Sequence, residues 1–185
     1  MSMDAIELLL HPVRLRIVNA MSGGRTRTTS ELCARMPGVS QATVYRHVAV
    51  LANEGVLEVE GEERVRGAIE RRYRLHLERA VIRADQAASM SLADHRRGFT
   101  AAMAVLLAEF NTYLDRGDVD PFTDGVTYRQ FVLWLTEAEL AELINQVRGA
   151  LIARMGNTAS SDRTPYLVST ILFPTEQRAP ESPAK

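Results

Sequence analysis

Gln41, Ala42, Thr43, Tyr45 and Arg46 lie within one short stretch and set amide, hydroxyl and guanidinium groups beside a methyl-sized side chain. Such a set can read base edges, because arginine donates to guanine O6 and N7 and a small apolar group meets the thymine methyl. Arg25, Arg27, Thr28, Thr29 and Ser40, with Arg64 and Arg66 further along, form a second set. These residues have the charge, the hydroxyls and the helix-start positions that hold phosphate oxygens.

Both sets need rigid elements to aim them. Ser40 has the chemistry of a helix N-cap, and Val39 and Val44 occupy the two positions of a hydrophobic staple. Gly55 suits the left-handed residue that ends a helix, so the pattern predicts a helix from about Ser40 to Gly55. At 100° per residue Val44, Val48 and Leu51 share one face, while Ala42, Arg46 and Ala49 lie opposite. The outward face therefore carries small and polar residues, which allow close approach to another surface.

The preceding stretch is punctuated by start and stop signals. Residues 2–10 read as a short helix capped by Ser2, and Pro12 starts a second that buries Val13, Ile17 and Met21 and ends at Gly23-Gly24. Thr28-Thr29-Ser30-Glu31 is a capping box opening a short helix through Leu32 and Met36, and Pro37-Gly38 makes the turn. After Gly55, Val56 to Glu60 alternates like a strand, Gly61 to Gly67 reads as a polar tip, and Ile69 to Leu75 runs back. Tip and return strand carry Arg64, Arg66, Arg71, Arg72 and Arg74, opposed by Glu58, Glu60, Glu62 and Glu63. A short helix, a tight turn, a longer capped helix and then a basic hairpin is a helix-turn-helix with a wing.

HPVRLRIVNAM, TSELCARMPGVSQATVYRHVAVLANEGVLEV and ERVRGAIERRYRL together resemble the winged helix-turn-helix of ArsR-like bacterial regulators over residues 5–77. The resemblance implies a homodimer that places one recognition helix in each half-site, with flanking wings. Many such proteins sense metals through thiolates, and Glu31-Leu32-Cys33 is similar to one such motif. Here Ala34-Arg35 stands where the second cysteine would be. A lone Cys33 reads as a small buried hydrophobe, and His11, His47, His76 and His95 share no ligand spacing. His47, at the edge of the buried face, is expected to be packed and hydrogen-bonded. Neither a metal nor any other cofactor is expected.

Beyond residue 77 the pattern predicts a short helix around Arg83–Ser89 and a long one capped by Ser91. Its stripe of Phe99, Met103, Leu106, Phe110 and Leu114 closes at Gly117. Residues 115–125, DRGDVDPFTDG, form an acidic loop whose Asp118, Asp120 and Asp124 lack the EF-hand pattern. Val126 to Leu135 and Tyr166 to Phe173 are strand-like, and between them Thr136-Glu137-Ala138-Glu139 caps a helix burying Leu140, Leu143, Ile144, Val147 and Leu151. The expected fold is mainly α with a β-wing. It comprises a winged helix-turn-helix domain at 1–77 and a dimerisation region at 78–174, with a long helix and a strand-helix-strand unit. Residues 175–185 form a tail expected to be disordered.

At 185 residues and a formal net charge of −1 the chain is long enough for a real core and is not strongly basic as a whole. The first 80 residues hold 12 arginines against 10 acids, so what basic excess there is falls on the winged helix. Apolar runs fall far short of a membrane span and no signal segment leads the chain, which points to a cytoplasmic protein. No phosphate loop, nucleophile elbow or metal dyad is present, so no catalytic residues and no enzyme are expected. The function expected is a transcriptional regulator that binds double-stranded DNA as a homodimer on an inverted repeat. A repressor released by a small organic effector is one form of it, with Phe99, Met103, Phe110, Arg129, Gln130 and Trp134 as candidate pocket liners. The alternatives are a winged helix that binds protein rather than DNA, and a regulator that needs no ligand.

Overall fold

The computed structural model describes residues 5–65 and 67–176. The expected Ser2 cap, Arg66 and the tail beyond Glu176 therefore lie outside the described residues. The chain divides into two units, one of Met1–Val119 with Gly156–Thr158 and one of Asp120–Met155 with Ala159–Lys185.

The first unit is a mixed α+β fold with a single core. Its helices are α1 (Ala5–Leu9), α2 (Pro12–Met21), α3 (Thr29–Ala34), α4 (Gln41–Asn53), α5 (Ala84–Ala88) and α6 (Leu92–Leu114). Its strands are β1 (Thr26–Thr28), β2 (Leu57–Val65) and β3 (Ala68–Leu75), in antiparallel order β1-β3-β2. Ile17, Val18 and Met21 of α2, Leu32 of α3 and Val44, Val48 and Leu51 of α4 meet Leu57, Tyr73 and Leu75 of the sheet in one buried cluster. The periodicity of these residues on each helix is what brings the elements together, since each must hide one apolar face.

Two features of the sheet differ from the sequence expectation. The strand β2 continues to Val65, pairing Val65 with Ala68, so most of the expected seven-residue polar tip lies in the ladder, with Gly67 at φ 86°. Cross-strand pairing drives this extension: Glu62 faces Arg71 and Glu58 faces Arg74 across the ladder, and opposite charges at facing positions favour strand over loop. A bulge between Val59 and Gly61 shifts the register there. The short strand β1, set against Arg72 to Arg74 of β3, had no signal of its own in three residues of Thr and Arg.

The long helix α6 follows its predicted bounds but packs by another face. Ala101 and Val105 are its buried residues, while Phe99 and Leu114 are exposed and Met103, Leu106 and Phe110 half-buried. That buried face lies about 160° round the helix from the expected stripe at 100° per residue. Its small residues let α6 come close to α2 and to Leu10 just before it, and a Cβ at Gly98 would lie 2.9 Å from Leu10 Cδ2. Arg16 of α2 then donates to Glu109 of α6 at 3.2 Å.

In the second unit the one regular element among the described residues is α7 (Glu137–Met155). Thr136 and Glu139 cap it reciprocally, as expected: the Thr136 N–H donates to Glu139 Oε2 at 2.8 Å and the Glu139 N–H to Thr136 Oγ1 at 3.2 Å. The strands expected at 126–135 and 166–173 are not formed, since neither segment belongs to a ladder. A strand exists only through hydrogen bonds to a neighbour, and alternation alone does not supply one. Nor is the expected face of α7 buried: Leu140, Leu143 and Leu151 are half-buried, and Ile144 and Val147 exposed. No helix of the described residues is long and apolar enough to cross a membrane.

Candidate nucleic-acid interface

Both ends of α4 are fixed by its own sequence. Ser40 caps the start, its Oγ accepting from the Thr43 N–H at 3.3 Å and lying 2.8 Å from Thr43 Oγ1. At the other end Val56 N–H donates to Leu51 C=O at 2.8 Å and Gly55 N–H to Ala52 C=O at 3.0 Å, with Gly55 at φ 72°. These two bonds are a Schellman motif, and the accompanying apolar contact joins Leu51 and Val56, both in the core cluster. The guanidinium of Arg79 adds a bond to Glu54 C=O at 3.4 Å.

The helix held this way sorts its residues as the wheel predicted. Val44, His47, Val48 and Leu51 are buried; Gln41, Ala42, Tyr45, Arg46 and Ala49 are exposed, and Thr43 is half-buried. The exposed set forms one surface along the leading three turns. Tyr45 Oη lies 3.4 Å from Ser30 Oγ, so its ring is steered toward α3. Its physical character is a donor-rich strip flanked by alanines, which a flat, hydrogen-bonding partner can approach closely.

The start of α3 departs from the expected phosphate site. Thr28 and Thr29 are buried, and the capping box occupies the groups concerned: Glu31 N–H donates to Thr28 Oγ1 at 3.2 Å and Thr28 N–H to Glu31 Oε2 at 2.9 Å. Glu70 of β3 also approaches, and the hydroxyls of Ser30 and Thr28 hold its carboxyl below the usual carboxylate range. Two carboxylates thus already satisfy the terminus, leaving no cationic site for an anion there. Arg27 is likewise engaged, donating to Ala20 C=O at 3.0 Å, and burial lowers its pKa. Arg25 is half-buried and Ser40 exposed.

On the wing, three of the arginines face glutamates. Arg71 pairs with Glu62 at 2.9 Å, Arg74 with Glu58 at 3.3 Å and Arg72 with Glu31 at 3.5 Å. Arg64 is exposed on β2 close to the turn.

Histidine does more here than its spacing suggested. His11 caps α2, its Nδ1 accepting from the Val13 N–H at 3.2 Å, and its ring lies against that of His47 with centroids 4.3 Å apart. His47 is buried as expected but not fully hydrogen-bonded: its Nδ1 has no partner among the described residues. The signal for the cap was His-Pro at a helix start, where an imidazole nitrogen replaces the usual side-chain oxygen. Cys33 is half-buried against the core, and burial pushes its thiol pKa up. Among the described residues no group of three or more His, Cys, Asp or Glu side chains is placed to hold a metal ion.

Of the proposed pocket liners, Phe99, Met103 and Phe110 lie on α6 and Arg129, Gln130 and Trp134 in the segment 126–135 of the second unit. The depression on the α6 surface is open and lined by Leu92, His95, Arg96, Phe99 and Thr100, so Phe99 alone of the six borders it.

No curated protein matches the chain. Residues 9–60, running from the end of α1 into β2, match the family model described as a helix-turn-helix domain. That match falls on a capped short helix, a tight turn and a longer helix with its polar face outward, and it supports a helix-turn-helix regulator whose domain suggests DNA binding.

Proposed function

We propose that the chain is a homodimeric, sequence-specific DNA-binding regulator of transcription that recognises an inverted repeat. Each α4 would enter a major groove with Gln41, Ala42, Thr43, Tyr45 and Arg46 toward the bases. Arg64 and Arg66 would reach the adjacent backbone or minor groove. The observation that carries this reading is the outward face of α4, exposed and polar while the opposite face is buried. The stripe of α6, exposed at Phe99 and Leu114 and half-buried at Met103, Leu106 and Phe110, supports self-association, because apolar residues at such spacing form helix seams. The reading puts the protein in the cytoplasm, in ArsR-like company, with a repressor released by a small organic effector as its regulatory form.

Fluorescence anisotropy with duplexes from the region upstream of the gene, and with random duplex, tests the proposal. A site bound about a thousandfold more tightly than random DNA supports it. Absence of binding to either duplex would leave the winged helix as a protein-binding module. A screen of apolar metabolites by thermal shift tests the effector, since a ligand of the folded state raises its stability.

A further inference from the structure

The second unit has its apolar residues in the wrong place for a chain on its own. Among its described residues none is buried, α7 included. Phe131 is 75% and Trp134 85% exposed, and Val132, Leu133, Leu167, Val168, Ile171 and Leu172 are exposed as well. Fixing a residue costs backbone entropy, and a unit without a core has little to set against it. Something must cover these residues for the unit to be ordered.

The chemistry of the two segments says what. Residues 126–135 and 166–173 are rich in β-branched and aromatic side chains and contain one charged residue between them, Arg129. Such segments need ladder partners as well as apolar cover, and a helix or a loop provides only the second. Natural sheet edges are guarded by charge or proline. Here the prolines, Pro121, Pro165 and Pro174, stand outside the segments, leaving both open along their length. The sheet among the described residues is complete with β1, β3 and β2 and takes in neither.

A second copy of the chain meets each requirement. It offers the same two segments, with Arg129 their one charge, and a two-fold axis pairs a segment with its own copy antiparallel. The exposed apolar side chains of the two segments present on the order of 1,000 Å² per copy, against about 800 Å² per partner in a standard stable interface. The exposed apolar face of α7, with Ile144 and Val147, can then lie across the resulting sheet. We infer that residues 126–135 and 166–173 form an intermolecular β-sheet with the same segments of a second copy. This rests on the homodimer proposed above and names the surface that makes it, but does not depend on DNA recognition.

Hydrogen exchange of the full chain, read by mass spectrometry alongside sedimentation, tests the inference. In the dimer, peptides covering 126–135 and 166–173 should exchange about tenfold or more slowly than in the monomer obtained by dilution. Val132→Pro and Val168→Pro, each removing a ladder donor, should weaken dimerisation about tenfold or more. A chain that stays monomeric at its highest soluble concentration would overturn the inference. So would a dimer whose two segments exchange freely, or protection that persists in the monomer. A protected dimer that binds no DNA would sink the proposed regulator and leave this surface standing.

Discussion

The imidazoles of His11 and His47 stack with centroids 4.3 Å apart and planes tilted by 41°, joining the start of α2 to the middle of α4. His11 is held there by capping its own helix, and His47 by burial on the core side of α4. Arg14 and Arg46 bring positive charge to both rings. Two neutral imidazoles can share such a place; two imidazolium ions beside two guanidinium groups cannot do so cheaply. Protonating either ring therefore works against the packing of the start of α2 on α4.

Burial, then the charges of His11, Arg14 and Arg46, lowers the His47 pKa from 6.5 to about 4, and burial also lowers that of His11. A group whose folded pKa is depressed binds fewer protons folded than unfolded between those two values. Stability is then full above pH 6.5 and falls as the pH drops toward 4. Between pH 7.5 and 5 the loss attributable to His47 should be about 2 kcal/mol. Urea denaturation at a series of pH values measures it, and His47→Met should flatten that limb. Equal slopes in the two proteins would show that the ring is not buried as described.

Gly55 ends α4 at φ 72°, a conformation costing an L side chain about 1–2 kcal/mol. Gly55→Ala should lower unfolding stability by that amount, and the added Cβ would also crowd the Arg79 guanidinium. Chemical denaturation of the full chain is the measurement. A neutral effect would mean that the Schellman bonds do not set the end of α4.

Arg16 and Glu109 fix α6 onto α2 at 3.2 Å, with the arginine side chain 9% and the glutamate 33% exposed. A pair this sheltered should couple more strongly than a surface ion pair, by about 1–2 kcal/mol in a double-mutant cycle. Arg16→Met, Glu109→Gln and the double variant complete the cycle. Additive effects would place the docking of α6 on Ala101 and Val105 alone.

The winged helix was legible because its signals are local. Ser40, Gly55 and the Thr28–Glu31 box each act within four residues of themselves, and the α4 wheel needs only one buried face. Where reasoning fell short, the deciding partner was distant in sequence. Glu70 reaches the start of α3 from β3, and Ala101 and Val105, rather than the larger Phe99 and Leu106, face α2 because close approach outweighs side-chain size. The strand-like segments at 126–135 and 166–173 illustrate the same limit: alternation marks the tendency, while the ladder depends on a neighbour that the sequence does not name.

The wing divides into a cation exposed near its tip and cations already matched with glutamates, and DNA binding should register the difference. Arg46→Ala should cost about 1–3 kcal/mol at the specific site and little on random DNA, as for a direct base contact. Arg64→Ala should weaken both alike and reduce the slope of log affinity against log salt by about 0.9, the value for one lost phosphate contact. Arg71 must first leave Glu62, and Arg74 Glu58, so Ala at either position should change affinity and salt slope less than Arg64→Ala does. Glu62→Gln should do the opposite and tighten binding to random duplex, because it frees the Arg71 guanidinium and removes a charge that repels phosphate. Anisotropy titrations at several salt concentrations read all five variants. If Arg71→Ala and Arg64→Ala proved indistinguishable, the cross-strand pairs would not persist against DNA, and the wing would act as one undivided basic surface.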